Sequence, residues 1–233
     1  MNKKNQIMEV DEIFVSINGE TSHSGSPTIF VRLFGCNVHC VYCDTPQRKS
    51  PSEMYIEDII KKVTELSNKY GVYDVCITGG EPLRQEPVYD LAEMLVEAGH
   101  TVYIETNGLI FIKQVPNRNY HFIMDIKVPS AGLGDVSYIT HQNLLNLKEG
   151  DEVKIVFGNE ADVMYAFYIL RGICKLREET RLSFPIYLSP LYGTSNSILR
   201  RVIDWVVETP LITFIDKTNI HFQTQLHKVF GVK

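Results

Sequence analysis

Ile29-Phe30-Val31-Arg32-Leu33-Phe34-Gly35-Cys36-Asn37-Val38-His39-Cys40-Val41-Tyr42-Cys43 decides how this chain is read. A β-branched, apolar run passes through a glycine, which permits a sharp backbone turn, into a loop with three thiols in eight residues. Structural zinc sites and fully protein-ligated iron-sulfur clusters normally take four ligands. Three thiols with no fourth nearby leave one position open for a small molecule.

The surrounding sequence repeats that plan. After Pro27, short β-rich runs are predicted at Ile29 to Leu33, Asp74 to Thr78, Thr101 to Glu105, His121 to Ile126, Glu152 to Phe157 and Pro185 to Ser189. Helical spacing lies between them. Ile56, Ile59, Ile60, Val63 and Leu66 share one face, as do Leu91, Met94 and Leu95, and Glu160 to Leu176 and Ile198 to Val207 read as further helices. Strand-helix alternation predicts parallel crossovers and an α/β architecture. About six βα units are too few to close an eight-stranded barrel, so an open, partial TIM-like barrel is expected. Val10 to Ile17, followed by Asn18-Gly19, predicts a hairpin against the Ile29 strand.

Composition narrows the class. The 233 residues, 44% of them hydrophobic, suit one domain over residues 1–233. A net charge of −5 gives no footprint for nucleic acid, and the basic pair Lys3-Lys4 reads as a solvated, frayed terminus. The chain shows no signal peptide and no apolar run of about 18 residues, which points away from membranes and to the cytoplasm. Five cysteines, three in one loop, fit a reducing compartment and metal-binding thiols. Zinc completed by His39 is a weaker reading, because zinc sites usually draw their second ligand pair from another segment. Cys76 and Cys174 read as small core hydrophobes.

Polar motifs close the predicted strands, where α/β enzymes collect their functional groups. Thr78-Gly79-Gly80-Glu81-Pro82 follows the second strand, Glu105-Thr106-Asn107-Gly108 the third and Asp125-Ile126-Lys127-Val128-Pro129-Ser130 the fourth. Individually these are a tight turn, a plain turn and an exposed ion pair worth little. Together they converge on one rim.

The Cys-x3-Cys-x2-Cys loop after the first strand resembles that of the radical S-adenosylmethionine superfamily. The resemblance implies a four-iron, four-sulfur cluster on Cys36, Cys40 and Cys43, with S-adenosylmethionine on its open iron as the source of a 5'-deoxyadenosyl radical. It implies further contacts to S-adenosylmethionine from Tyr42, Asp44, Gly79, Gly80, Glu81, Gly108, Asp125, Ile126, Lys127 and Ser189. Further motifs are Ser16-Ile17-Asn18-Gly19-Glu20, Cys43-Asp44-Thr45, Glu152-Val153-Lys154-Ile155-Val156 and Gln223-Thr224-Gln225-Leu226-His227-Lys228. Across nearly the whole chain these resemble the 7-carboxy-7-deazaguanine synthase family of that superfamily, which has a shortened core.

That resemblance implies a radical lyase converting 6-carboxy-5,6,7,8-tetrahydropterin to 7-carboxy-7-deazaguanine with loss of ammonia, in 7-deazapurine (queuosine- or archaeosine-type) biosynthesis. Ile17, Asn18, Gly19, Glu20, Arg32 and Thr106 would contact the substrate, Arg32 through its carboxylate. Arg32 otherwise reads as a solvent-facing strand residue. Thr45 would bind magnesium, although Thr45-Pro46 is also a good helix N-cap. A homodimer, a flavodoxin- or ferredoxin-type electron donor, an N-terminal substrate-binding extension and a C-terminal tail closing the site are implied too. Asn18 and Thr21 stand where the family has Gln and Gly, and Ser189 where Gln is common. Glycyl-radical activases share the cysteine spacing, and an iron-sulfur carrier or zinc module would use the same thiols. The Asn18, Glu20 and Arg32 set favours the small-molecule enzyme.

Overall fold

The computed structural model describes residues 3–45, 50–176, 184–208 and 217–232. The described strands are β1 (Ile7–Ile17), β2 (Pro27–Leu33), β3 (Ser52–Tyr55), β4 (Asp74–Gly79), β5 (Thr101–Thr106), β6 (His121–Asp125), β7 (Glu152–Phe157), β8 (Ile186–Pro190) and β9 (Ile220–Phe222). They form one nine-stranded sheet in the order β3-β1-β2-β4-β5-β6-β7-β8-β9. From β2 through β4 to β9 every neighbouring pair is parallel. The sheet is open, with β3 at one edge and β9 at the other.

Burial explains why the parallel strands lack a polar alternation. All six residues of β7 are buried, as are Val75, Cys76 and Ile77 of β4 and Val102, Tyr103 and Ile104 of β5. Strands covered on both faces read as continuous apolar runs. The helices α1 (Ile56–Tyr70), α2 (Val88–Glu97), α3 (Ser137–Leu145), α4 (Glu160–Leu176) and α5 (Asn196–Glu208) alternate with the strands. α1 buries Ile56, Ile59 and Val63 and ends at Gly71 in the left-handed conformation that closes many helices. Phe167 of α4 meets Trp205 of α5 edge-on, with ring centroids 5.4 Å apart.

The hairpin exists: β1 pairs antiparallel with β2 from Val10↔Leu33 to Ile17↔Pro27, with a register shift between Val10 and Glu12. β1 starts at Ile7 and also carries β3 on its other edge. The frayed-terminus reading of Lys3 is corrected. Its ammonium sits 2.9 Å from Asp90 and 2.7 Å from Glu93, which fastens the terminus to α2. Cys76 and Cys174 are buried in the core, as small hydrophobes are. No described helix is long and apolar enough to cross a membrane.

Candidate active site

The carboxyl ends of β2 and β4 to β7 open into a cavity of about 940 Å³. Cys36, Cys40 and Cys43 line it as free thiols, the first two half-buried and Cys43 exposed. Their loop is held by neighbours: Cys43 N–H donates to Cys40 O at 3.1 Å, and Val41 N–H to Ala131 O at 3.1 Å. Burial raises the Cys40 thiol above its ordinary range, an effect the nearby Lys127 ammonium opposes. Asn107 at the end of β5 sends Nδ2 to Cys36 Sγ at 3.7 Å and to Asn37 Oδ1 at 2.8 Å. Among the described residues no three His, Cys, Asp or Glu side chains converge on a single ion. Three thiols spread along one cavity wall suit a multi-iron cluster better than the zinc site with His39.

Gly79 shows why the β4 rim needs glycine. Its φ is +147° and a Cβ there would lie 2.1 Å from Leu33 O, so the backbone passes flush against β2. Gly80 also lines the cavity. Glu81 does not. It is fully buried, with Leu83 N–H at 3.0 Å, Thr106 Oγ1 at 2.8 Å and Asn107 N–H at 2.7 Å donating to its carboxylate. Burial raises its pKa and these donors oppose the rise. Glu81 therefore braces the β5 turn that presents Thr106 and Asn107.

On β6 and the turn after it, Asp125 and Lys127 form a pair at 2.9 Å, about 12% exposed on each side. The bland alternative of an exposed pair is corrected, because the loop folds this pair down into the cavity wall. Burial alone would depress Lys127, but Asp125 and the Tyr42 and Cys40 groups raise its pKa. Ile126 and Ser189 are fully buried, and Gly108 is held by Thr106 Oγ1 at 3.2 Å and by Asn143 donating to its carbonyl at 2.8 Å. These three form the backing of the wall rather than its surface.

The hairpin supplies the opposite wall. Arg32 faces the cavity across Phe14, its guanidinium carbon 5.2 Å from that ring centre and Nη1 3.5 Å from Glu12. Its side chain is only 18% exposed, which corrects the solvent-facing alternative. Ile17, Asn18, Gly19 and Glu20 line the same space. Asn18 is largely committed internally: its Nδ2 donates to Tyr103 Oη at 3.0 Å and its Oδ1 accepts from Glu20 N–H at 3.0 Å. A Cβ on Gly19 would strike the His227 ring at 2.1 Å.

The segment after β9 closes over this loop. Leu226 N–H donates to Gly19 O at 3.1 Å and Gln223 Oε1 accepts from Thr21 N–H at 2.8 Å. Gln225 reaches Glu20 at 3.1 Å. Asp44 meets Lys228 at 2.7 Å and His227 at 3.6 Å, and the His227 contact, then Lys228, holds its carboxyl well below the usual carboxylate range. Thr45 lines the cavity beside it. Pro46, and with it the helix-cap alternative for Thr45, lies outside the described residues.

Three buried polar atoms on cavity residues lack a partner among the described residues: Arg32 Nε, Tyr42 Oη and Asp125 Oδ1. Buried polar groups are nearly always hydrogen-bonded. A donor, a hydroxyl and a carboxylate oxygen left open around three thiols fit a polar, zwitterionic ligand such as S-adenosylmethionine beside an anionic substrate. Sequence reading missed Thr78, Glu105, Asn107 and Lys154 as site groups, although all four stood inside motifs already singled out.

Comparison with known proteins agrees with this geometry. Residues 31–117 match the model of the radical SAM superfamily. The chain is 37% identical over 232 residues to a 7-carboxy-7-deazaguanine synthase of Methanospirillum hungatei, covering 97% of this chain and 86% of the relative. It is 38% identical over 229 residues to a 7-carboxy-7-deazaguanine synthase of Koribacter versatilis, covering 95% and 96%. The crystal structure of QueE from Escherichia coli shares the fold, with a TM-score of 0.70, 22% identity and 94% of each chain covered. The chain belongs to the 7-carboxy-7-deazaguanine synthase family of radical SAM enzymes.

Proposed function

We propose that this enzyme converts 6-carboxy-5,6,7,8-tetrahydropterin to 7-carboxy-7-deazaguanine with release of ammonia. The observation that carries the reading is that the three thiols, Arg32 and the Ile17 to Glu20 loop all line one cavity of about 940 Å³, a size that encloses a cofactor and a bicyclic substrate together. Cys36, Cys40 and Cys43 would hold the cluster, which would supply the reducing electron for radical chemistry of S-adenosylmethionine aimed at C6 of the pterin.

The chain's own residues hold the two molecules in register, which is the main contribution a protein makes to cofactor chemistry. Tyr42, Asp44, Gly79, Gly80, Asp125 and Lys127 take S-adenosylmethionine, with Gly108, Ile126 and Ser189 shaping the wall behind it. Glu81 acts through Thr106 and Asn107. Arg32 pairs with the substrate carboxylate, a match for its planar fork, while Ile17, Asn18, Gly19, Glu20 and Thr106 surround the ring. Thr45 offers a hard oxygen to magnesium, which would organise substrate oxygens electrostatically. Apolar walls from Phe14, Phe30 and Val156 keep water from the radical.

In this reading residues 1–233 form a single domain, with the hairpin as the substrate-binding extension and the C-terminal segment as the closure. The enzyme works in the cytoplasm as a homodimer, draws electrons from a flavodoxin or ferredoxin, and feeds a queuosine- or archaeosine-type pathway. The test is anaerobic reconstitution with iron and sulfide, then incubation with the carboxytetrahydropterin, S-adenosylmethionine, reductant and magnesium. Formation of 7-carboxy-7-deazaguanine is expected. Reductive cleavage of S-adenosylmethionine without that product would leave the superfamily standing and remove the substrate.

A further inference from the structure

Between the hairpin and the strand ends lies a charge arrangement that the roles above do not explain. Lys154 projects from β7, is buried, and lines the cavity. Its Nζ sits 2.6 Å from Glu20 Oε2 and 3.7 Å from Glu105 Oε1. Glu20 comes from the hairpin loop and Glu105 from β5, so one ammonium draws acids from two walls together. Each acid has a second tie: Gln225 Nε2 donates to Glu20 Oε1 at 3.1 Å, and Thr78 Oγ1 to Glu105 Oε2 at 3.0 Å. Asp125 is Lys154's register partner on β6, but it is occupied by Lys127.

Two carboxylates in a confined cavity repel, and a cation between them offsets that repulsion. Burial works against the Lys154 charge, yet Glu105 and Glu20 hold its pKa well above the ordinary lysine value. Ionised carboxylates only accept hydrogen bonds. A fixed pair of them on a cavity wall selects a ligand edge rich in N–H donors and rejects one that presents carbonyls alone.

We propose that Lys154 is a positioning residue that fixes Glu20 and Glu105 as a paired acceptor for the N–H-rich edge of the bound heterocycle, with Glu105 a second recognition residue beside Glu20. This rests on the pterin reading, whose aminopyrimidinone edge carries such donors.

The test measures anaerobic binding of the carboxytetrahydropterin by calorimetry, and steady-state rates of the reconstituted enzyme, for Glu105→Gln, Lys154→Met and Lys154→Arg. Losing a hydrogen bond to a charged group corresponds to about tenfold or more in affinity. Glu105→Gln and Lys154→Met should therefore raise Kd and KM by at least that factor with kcat nearly unchanged, while Lys154→Arg restores KM. Binding of S-adenosylmethionine should be untouched in all three.

A wild-type KM in Glu105→Gln, or a loss confined to kcat, overturns the recognition role. Lys154→Arg no better than Lys154→Met overturns the positioning role, and so does joint loss of S-adenosylmethionine binding, the mark of a purely structural cluster. Failure of the wild-type enzyme to bind the pterin contradicts the substrate reading instead.

Discussion

Asp44, one residue after the last thiol of the cysteine loop, accepts from Lys228 near the end of the chain at 2.7 Å. The contact ties the C-terminal segment to the loop that would carry the cluster. Both side chains are substantially exposed, 43% for Asp44 and 31% for Lys228, so the pair is worth about 1 kcal/mol or less.

The sign of its pH dependence follows from the depressed Asp44 carboxyl. Its stabilisation is present above the ordinary carboxylate pKa of about 3.9 and is lost as pH falls toward the lower folded value. Asp44→Asn should lower the denaturation midpoint slightly at neutral pH, and the gap from wild type should narrow as pH drops through about 4. A gap that widens on acidification would contradict the assignment.

Thr21 adopts φ +65° at the position where the family resemblance implies glycine. A β-branched residue in the left-handed region costs about 1–2 kcal/mol, against about 0.5–1 kcal/mol of entropy that glycine gives back. Thr21→Gly should raise stability by about 0.5–1 kcal/mol in urea melts. A destabilised variant would mean that the Thr21 side chain, buried with Oγ1 unpartnered among the described residues, packs better than its backbone is strained.

Glu81 accepts three hydrogen bonds while fully buried. Removing the acceptor strands buried donors at about 1–3 kcal/mol each. Glu81→Ala should cost about 3 kcal/mol or more, a melting temperature lower by several degrees, and should loosen Thr106 and Asn107 at the site. An unchanged melt would contradict the bracing role of Glu81.

In its proposed role Thr45 would offer one hydroxyl to magnesium, a cation that keeps several waters and takes few protein ligands. Thr45→Ala should shift the magnesium concentration for half-maximal rate upward by about tenfold, with S-adenosylmethionine binding intact. An unshifted requirement would place magnesium elsewhere.

Strands β2 and β4 to β8 were legible because each is a short, mainly apolar and β-branched run cut off by a glycine, an acid or a turn, and the rim motifs follow from those ends. α3 was not: Ser137–Leu145 has no apolar stripe, and it packs through Asn143, whose Nδ2 reaches Gly108 O at 2.8 Å and Ile110 O at 2.7 Å. β9 is three residues long at the sheet edge and leaves no periodic signal. Lys154 stood inside the Glu152 to Val156 motif, but its role was hidden, since its partners Glu20 and Glu105 lie far away in sequence and meet it through the sheet order. Glu81 carries a motif whose sequence gives its neighbours but not the direction of its carboxylate.

In the proposed reaction the cavity turns S-adenosylmethionine chemistry on a pterin, and return of the hydrogen atom would spare S-adenosylmethionine in each cycle. The most direct measurement counts 7-carboxy-7-deazaguanine, ammonia and S-adenosylmethionine consumed in one anaerobic reaction with reductant and magnesium. One ammonia per deazaguanine and several products per S-adenosylmethionine lost are expected. Steady accumulation of 5'-deoxyadenosine with no deazaguanine and no ammonia would contradict it.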